Sequence, residues 1–262
     1  MNITMLGTGN AMVTECYNTC FVLQDGEKHL LVDGGGGNTL LRQLKQAGFA
    51  WQDMREIFVT HKHVDHLMGI VWMIRMICQN MKQGQYEGEA WIYGHDEVIG
   101  LLGEMAEQLY PKKLTDFIGK RLHLVVVNDG EERTLMGHKV TFFDIQSTKA
   151  KQYGFCMDMG NGEKLTCCGD EPYNECEKKY AENSKWLLHE AFCLYDQADE
   201  FHPYEKHHST AKDASELAEL LGVKNLILYH TEDKNLARNL AETWNRLSSE
   251  DGGNWWETVY VE

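Results

Sequence analysis

Proline, closely spaced cysteine pairs and positive charge are all scarce in this sequence, and each shortage argues against a class of domain organisation, site or partner. Three prolines in 262 residues, with no tract rich in serine, glycine or proline, leave no candidate for an interdomain linker. We therefore predict one domain spanning residues 1–262. The eight cysteines contain no CxxC pair, which argues against a zinc ribbon or a thioredoxin-like redox site. Cys16 and Cys20 offer two thiolates without a second pair, so a structural metal site there would be incomplete.

Basic residues are outnumbered, 25 to 40, which gives a formal net charge of −15. Proteins that bind nucleic acid nonspecifically neutralise phosphates with lysine and arginine, so this balance argues against a nucleic-acid partner. The chain also lacks a run of 18 apolar residues and a signal-peptide pattern at its start. We expect a protein of the cytoplasm that makes no use of a membrane.

Apolar patterning predicts hairpin-like strands first and strands alternating with helices later. The predicted strands span residues 3–6, 20–23, 29–32, 56–60, 90–93, 122–127, 139–145, 154–159, 164–168, 186–189, 225–229 and 255–261. Helices are predicted over 38–47, directly after residue 66, and over 97–109, 173–181, 211–221 and 236–247. This order favours an α/β fold in which two sheets lie between helical layers.

The densest chemical feature is a cluster of three histidines and one aspartate within six residues. It comprises His61, His63, Asp65 and His66, between a predicted strand and the helix that follows it. His61 and His63 are two residues apart at a strand end, so both imidazoles face the same side. Imidazole and carboxylate ligands without thiolate favour Zn²⁺, with Mn²⁺ or iron as alternatives, and four ligands from one loop suit two adjacent cations.

With these residues the sequence resembles the metallo-β-lactamase superfamily, whose signature is HxHxDH, and within it the ribonuclease Z-like proteins and related phosphodiesterases. The resemblance extends over most of the chain. Further matching segments are residues 6–11, Asn18, 31–35, 168–170, 189–191, 208–211 and 228–231. The family implies a four-layer αββα sandwich and a dinuclear site for metal-dependent hydrolysis.

The same resemblance implies roles for the later polar residues. Asp170 matches the aspartate that bridges the two cations, although on its own an aspartate before Glu171 and Pro172 also suits a helix start. His230, at the end of a predicted apolar strand, is expected to be a metal ligand. Glu190 and His208 are expected to be outer catalytic residues, with His207 as a competitor for the second role. Asp33 is expected to support a ligating histidine through a hydrogen bond.

Two departures from the family pattern bear on function. The position that aligns with the family's third histidine for the first cation is Gln146, a neutral and weak ligand, and His138 lies too far upstream to replace it. The flexible arm with which tRNA-processing members grip their substrate is missing, since only a short turn near residues 159–162 joins two predicted strands. We therefore expect transfer RNA not to be a substrate.

The sequence thus predicts a metal-dependent hydrolase, most readily a phosphodiesterase that acts on a small phosphodiester or related ester. Asp65 is expected to orient the attacking water as well as to bind metal, and His208 to protonate the leaving group. Two alternatives stay open: a lactone or thioester hydrolase, and a family member that binds metal without turnover. The resemblance also suggests a homodimer.

Overall fold

The computed structural model describes residues 1–234, and the predicted helix at 236–247 and strand at 255–261 lie outside the described residues. In the described part, two six-stranded sheets follow one another along the chain. Strands β1 to β6 span Asn2–Gly7, Cys20–Asp25, Lys28–Val32, Glu56–Phe58, Ala90–Gly94 and Leu122–Val126. Strands β7 to β12 span Glu132–Leu135, His138–Asp144, Tyr153–Gly160, Glu163–Cys167, Trp186–Glu190 and Asn225–Tyr229.

Both sheets are mixed, with the strands in sequence order across each. In the first sheet β1, β2 and β3 are antiparallel neighbours, and β3 to β6 are parallel. In the second, β7 to β10 are antiparallel, and β10 to β12 are parallel. The parallel halves require crossover connections, which supply the helices that cover the outer faces.

Seven α-helices lie in the described residues. Helices α1 to α4, which accompany the first sheet, span Thr39–Gln46, Val64–Gln83, Asp96–Leu109 and Lys112–Thr115. Helices α5 to α7 span Lys178–Ala181, Ala198–Phe201 and Ala211–Leu220. None of these helices is both long and apolar enough to cross a membrane.

Burial defines the layers. Alternate side chains of each sheet, such as Phe58 and Phe142 whose ring centroids are 5.0 Å apart, form one apolar cluster between the two sheets. A second cluster joins the opposite face of the first sheet to α1–α4, and a third joins the second sheet to α7. Because both faces of each sheet are buried, strands such as β2 contain continuous apolar runs. The predicted four-layer αββα sandwich is confirmed.

The local differences from the sequence prediction have simple causes. The predicted helix at 173–181 is only a single turn, Lys178–Ala181, preceded by a 3₁₀ turn at Glu175–Glu177. Strand β7 was not predicted, because this edge strand exposes three of its four residues and carries no apolar alternation.

Gly69 in the second turn of α2 permits the close contact that brings the helix start to the first sheet. Its amide donates to Gly35 O at 2.9 Å, and Gly34 N donates to His66 O at 2.8 Å. A Cβ at position 69 would lie 1.8 Å from Gly34 O. The first turn of α2 therefore packs directly on the segment that follows β3, and Asp33 comes to lie behind His66.

Candidate metal centre and active site

The HxHxDH segment folds so that its four side chains converge. It leaves the carboxyl end of β4 and enters the first turn of α2. His61 Nε2 lies 2.8 Å from His63 Nδ1, and the His61 and His66 rings are 4.2 Å apart. His66 Nε2 lies 3.5 Å from Asp65 Oδ2. Three of the four residues are buried, so their polar atoms face one another rather than bulk water.

Asp170 and His230 enter the same cluster from the second sheet. Asp170 follows β10 and His230 follows β12, both at the carboxyl ends of parallel strands. Asp170 Oδ2 lies 3.5 Å from His61 Nε2, 3.5 Å from His66 Nε2 and 3.3 Å from His230 Nε2. The structure therefore brings all six sequence-predicted ligands together, with one carboxylate oxygen of Asp170 at the centre.

Hydrogen bonds behind the cluster fix which imidazole nitrogens face it. Thr60 donates its amide to Asp33 Oδ1 and its hydroxyl to Asp33 Oδ2, both at 2.8 Å. The hydroxyl therefore accepts from His61 Nδ1, 3.0 Å away. His66 Nδ1 donates to Asp33 Oδ2 at 2.7 Å. These bonds leave the Nε2 lone pairs of His61 and His66 directed into the cluster, and His66 Nε2 has no hydrogen-bond partner although it is buried.

The electrostatic environment suits a cation. Burial disfavours the charged carboxylate of Asp170, yet His61, His230 and His66 hold its pKa well below the usual range. Burial opposes ionisation of Asp65 as well, but the hydrogen bond and charge of its histidine neighbours lower its pKa. Burial lowers the pKa of His61. Ionised carboxylates beside an unpartnered imidazole nitrogen are the arrangement that a divalent cation neutralises.

Two overlapping groups of side chains each bring together donor atoms that all lie within 4.8 Å of one another, close enough to hold a cation. One group is His61, His66 and Asp170, and the other is Asp65, His66 and His230. The donors are imidazole and carboxylate, which fit Zn²⁺ chemistry. Cys16 and Cys20 belong to none of the donor groups found in residues 1–234.

Glu190 and His208 form a third group with His230 at the edge of the cluster. Glu190 ends β11, and its Oε1 accepts hydrogen bonds from the amide and hydroxyl of Ser209, the former at 2.5 Å. Its Oε2 lies 3.4 Å from His208 Nδ1, and both atoms are buried without a hydrogen-bond partner. Burial raises the pKa of Glu190 to about 7. His208 is buried, whereas the adjacent His207 is exposed, so the structure brings His208 to the site.

The expected position of Gln146 is wrong. Gln146 is exposed, and its backbone amide donates to Asp144 Oδ1 at 2.8 Å. The residue that reaches the cluster from this loop is Gln152, which is buried. Gln152 Nε2 donates to Asp170 Oδ1 and lies 3.0 Å from His61 Nδ1, while Gln152 Oε1 accepts from Asp170 N at 3.3 Å. Gln152 therefore contacts the sides of His61 and Asp170 that face away from the cation-facing atoms.

We predict that Gln152→Leu weakens metal binding by about 10–100-fold, because it removes the hydrogen bonds that orient Asp170 while keeping the side-chain volume similar. Competition with a chromophoric chelator measures the affinity. Gln146→Leu is the matched control from the same loop, and its affinity should equal that of the unaltered protein. Equal affinities in both variants would contradict a positioning role for Gln152.

Sequence reasoning missed Gln152 and also Lys149, whose Nζ lies 3.2 Å from His208 Nε2. Both lie in the loop between β8 and β9, where no apolar periodicity marks the register. A signal was present for Gln152, since it directly precedes β9 and lies two residues before the Gly154-Phe155 pair.

Comparisons with known proteins agree with this geometry. A ribonuclease Z from Prochlorococcus marinus (strain AS9601) is 23% identical in an alignment that includes 91% of this chain and 90% of that protein. The metallo-β-lactamase fold protein YhfI from Bacillus subtilis superimposes with a TM-score of 0.75 at 19% identity, over 99% of this chain and 96% of that one. A diphosphatase of the PhnP family superimposes with a TM-score of 0.72 at 16% identity, over 98% and 93% of the two chains.

The expected resemblance to the metallo-β-lactamase superfamily and its ribonuclease Z-like members is confirmed. Together with the cluster of imidazoles and carboxylates, these matches support a metal-dependent hydrolase. A more specific match comes from the family model described as "Anti-Pycsar protein Apyc1", which aligns with residues 1–247. Because that alignment includes almost the entire chain, the protein belongs to the Anti-Pycsar protein Apyc1 family.

Proposed function

We propose that the protein hydrolyses a small phosphodiester, with two Zn²⁺ ions held by the six clustered side chains. The observation that carries this proposal is the position of Asp170 Oδ2, 3.3–3.5 Å from the Nε2 atoms of three histidines. A single carboxylate placed between two imidazole groups suits a bridging ligand for paired cations.

The donor groups divide between the two ions. His66 belongs to both donor groups, and we assign it, with Asp65, His230 and Asp170, to one cation. His61 and His63, whose facing nitrogens are 2.8 Å apart, would hold the other cation with Asp170. When bound, such a pair of cations lowers the pKa of water and polarises a phosphoryl oxygen. Mn²⁺ or iron is a less favoured occupant, because imidazole-rich sites with carboxylates and no thiolate suit zinc well.

The remaining polar residues act on protons and orientation. Asp65 Oδ2, which lies 3.4 Å from His230 Nε2 and 3.5 Å from His66 Nε2, is placed to orient the attacking water by accepting its hydrogen bond. His208 lies beside His230, with 5.1 Å between the ring centroids. There it would serve the leaving oxygen, while Glu190 holds the orientation of the imidazole.

Several observations favour a small substrate over transfer RNA. The net charge is −15, which opposes a large polyanion. Strands β9 and β10 are joined by the two residues between Gly160 and Glu163, where an arm for gripping RNA would need a long insertion. One structural neighbour is itself described as a diphosphatase of the PhnP family.

The test is a hydrolysis screen with protein of measured metal content. The substrates are bis(p-nitrophenyl) phosphate, cyclic and linear dinucleotide phosphodiesters, a lactone, a thioester and precursor transfer RNA. We expect turnover of small phosphodiesters and its loss after chelation, with recovery on adding Zn²⁺. Turnover of the lactone or thioester alone would replace the phosphodiesterase proposal with carbonyl hydrolysis, and efficient processing of precursor transfer RNA would contradict the proposed substrate size.

A further inference from the structure

Lys149 places a positive charge at the edge of the cluster, on the side of the outer pair Glu190 and His208. Its Nζ lies 3.2 Å from His208 Nε2. An ammonium group has no lone pair and must donate, so His208 Nε2 accepts and the ring proton resides on Nδ1, which faces Glu190. Lys149 therefore reaches the side of the site where a leaving group or phosphate oxygen would lie.

The loop that carries Lys149 is held in place by its own hydrogen bonds. Ser147 Oγ donates to Glu171 Oε1 at 2.6 Å, and Thr148 N donates to Glu171 Oε2 at 3.2 Å. The amides of Lys149 and Ala150 both donate to Ser147 Oγ at 3.2 Å. Glu171 directly follows Asp170, so the same segment that supplies the central carboxylate also fixes the backbone that presents Lys149.

The neighbouring lysines differ from Lys149 in their partners. Lys62 pairs with Glu97 at 2.7 Å, and Lys151 pairs with Asp96 at 2.6 Å. Within residues 1–234, Lys149 has no carboxylate oxygen within 4.0 Å, and its neighbour is the neutral acceptor of His208. Its side chain is exposed and its charge is not neutralised by the protein. An unpaired ammonium beside a water-accessible reaction site is available to an anion.

We propose that Lys149 binds a phosphate oxygen of the substrate and so makes the site select anionic phosphodiesters over neutral esters. The inference rests on the proposed function, because it assigns a substrate contact within that site. An anionic oxygen is a stronger acceptor than the neutral imidazole nitrogen, so the ammonium exchanges His208 for the phosphate when substrate enters.

The test compares Lys149→Gln with Lys149→Arg, and uses Lys151→Gln as the matched control from the same loop. Inorganic phosphate is titrated into the zinc-loaded proteins by calorimetry, and kinetics are measured with bis(p-nitrophenyl) phosphate and with neutral p-nitrophenyl acetate. We expect Lys149→Gln to weaken phosphate binding and to lower kcat/KM for the diester by about 10–100-fold, since a hydrogen bond to a charged group is lost. Lys149→Arg should retain most of both, and zinc content should not change.

The acetate and phosphate measurements separate the two proposals. If the unaltered protein binds phosphate and Lys149→Gln does not, the role of Lys149 stands even when the diester is not hydrolysed, whereas the proposed function fails. Equal losses on the diester and the acetate, or the same loss of phosphate affinity in Lys151→Gln, would overturn the role of Lys149. Absence of phosphate binding by the unaltered protein at millimolar concentration would overturn it as well.

Discussion

Replacing Asp65 with alanine is expected to remove turnover, with a loss of about 10³-fold or more in kcat/KM. Asp65 Oδ2 lies within 3.5 Å of both His66 Nε2 and His230 Nε2, so its removal takes away one of the two carboxylates that these imidazoles share and leaves only Asp170. In the proposed mechanism, the cation that these three residues would hold loses a charged donor, and the attacking water loses its acceptor. Metal content by mass spectrometry, measured beside activity, should therefore fall from two ions per chain toward one.

Asp25→Ala is the matched control for this experiment. Asp25 pairs with His138 at 2.8 Å, and neither residue belongs to the donor groups of the candidate metal centre. It should retain metal and activity. Thermal unfolding of both variants tests whether Asp65→Ala stays folded. Asp65→Asn, which keeps the shape and loses the charge, should behave like the alanine variant. Full turnover by Asp65→Ala with two bound ions would refute the proposed arrangement.

Replacing His208 with alanine is expected to lower kcat by about 10²–10⁴-fold while metal content stays unchanged, because general acid–base groups contribute rate enhancements of this size. His208 Nδ1 faces Glu190 Oε2 at 3.4 Å, and Phe192 stacks on the ring with 5.0 Å between centroids. Burial and the charge of Lys149 lower the pKa of His208 to about 4, so the ring is neutral at physiological pH. Its one ring proton then resides on Nδ1, the nitrogen that faces Glu190.

The adjacent residue provides the control for this second variant. His207→Ala changes an exposed imidazole one position away and should leave kcat, KM and metal content unaltered. Imidazole added to the solution should restore part of the activity of His208→Ala, which a purely structural defect would not permit. Equal rates in His208→Ala and the unaltered protein, on a substrate with a poor leaving group, would remove His208 from the mechanism.

The layers of the fold and the central part of the site can be predicted from the amino-acid pattern. The strand Asn225–Tyr229 is apolar after its first residue, so its bounds follow from composition. The strand–loop–helix around His61 and His66 has a spacing that few other functions require. His230 was predictable because polar residues at the carboxyl ends of strands meet at one edge of an α/β sheet, whereas Asp170 was assigned through the family resemblance.

Contacts between distant segments select the residues that surround those ligands, so local sequence does not predict them. Gln152 rather than Gln146 faces His61 because hydrogen bonds from Ser147 and Thr148 to Glu171 set the path of a loop that has no periodic pattern. His208 rather than His207 faces Glu190 because His207 has a left-handed backbone, with φ of 56°, that turns its side chain to solvent. Such positions depend on contacts between segments far apart in the chain, whereas the ligand motif and the apolar runs of the buried strands are local features of the sequence.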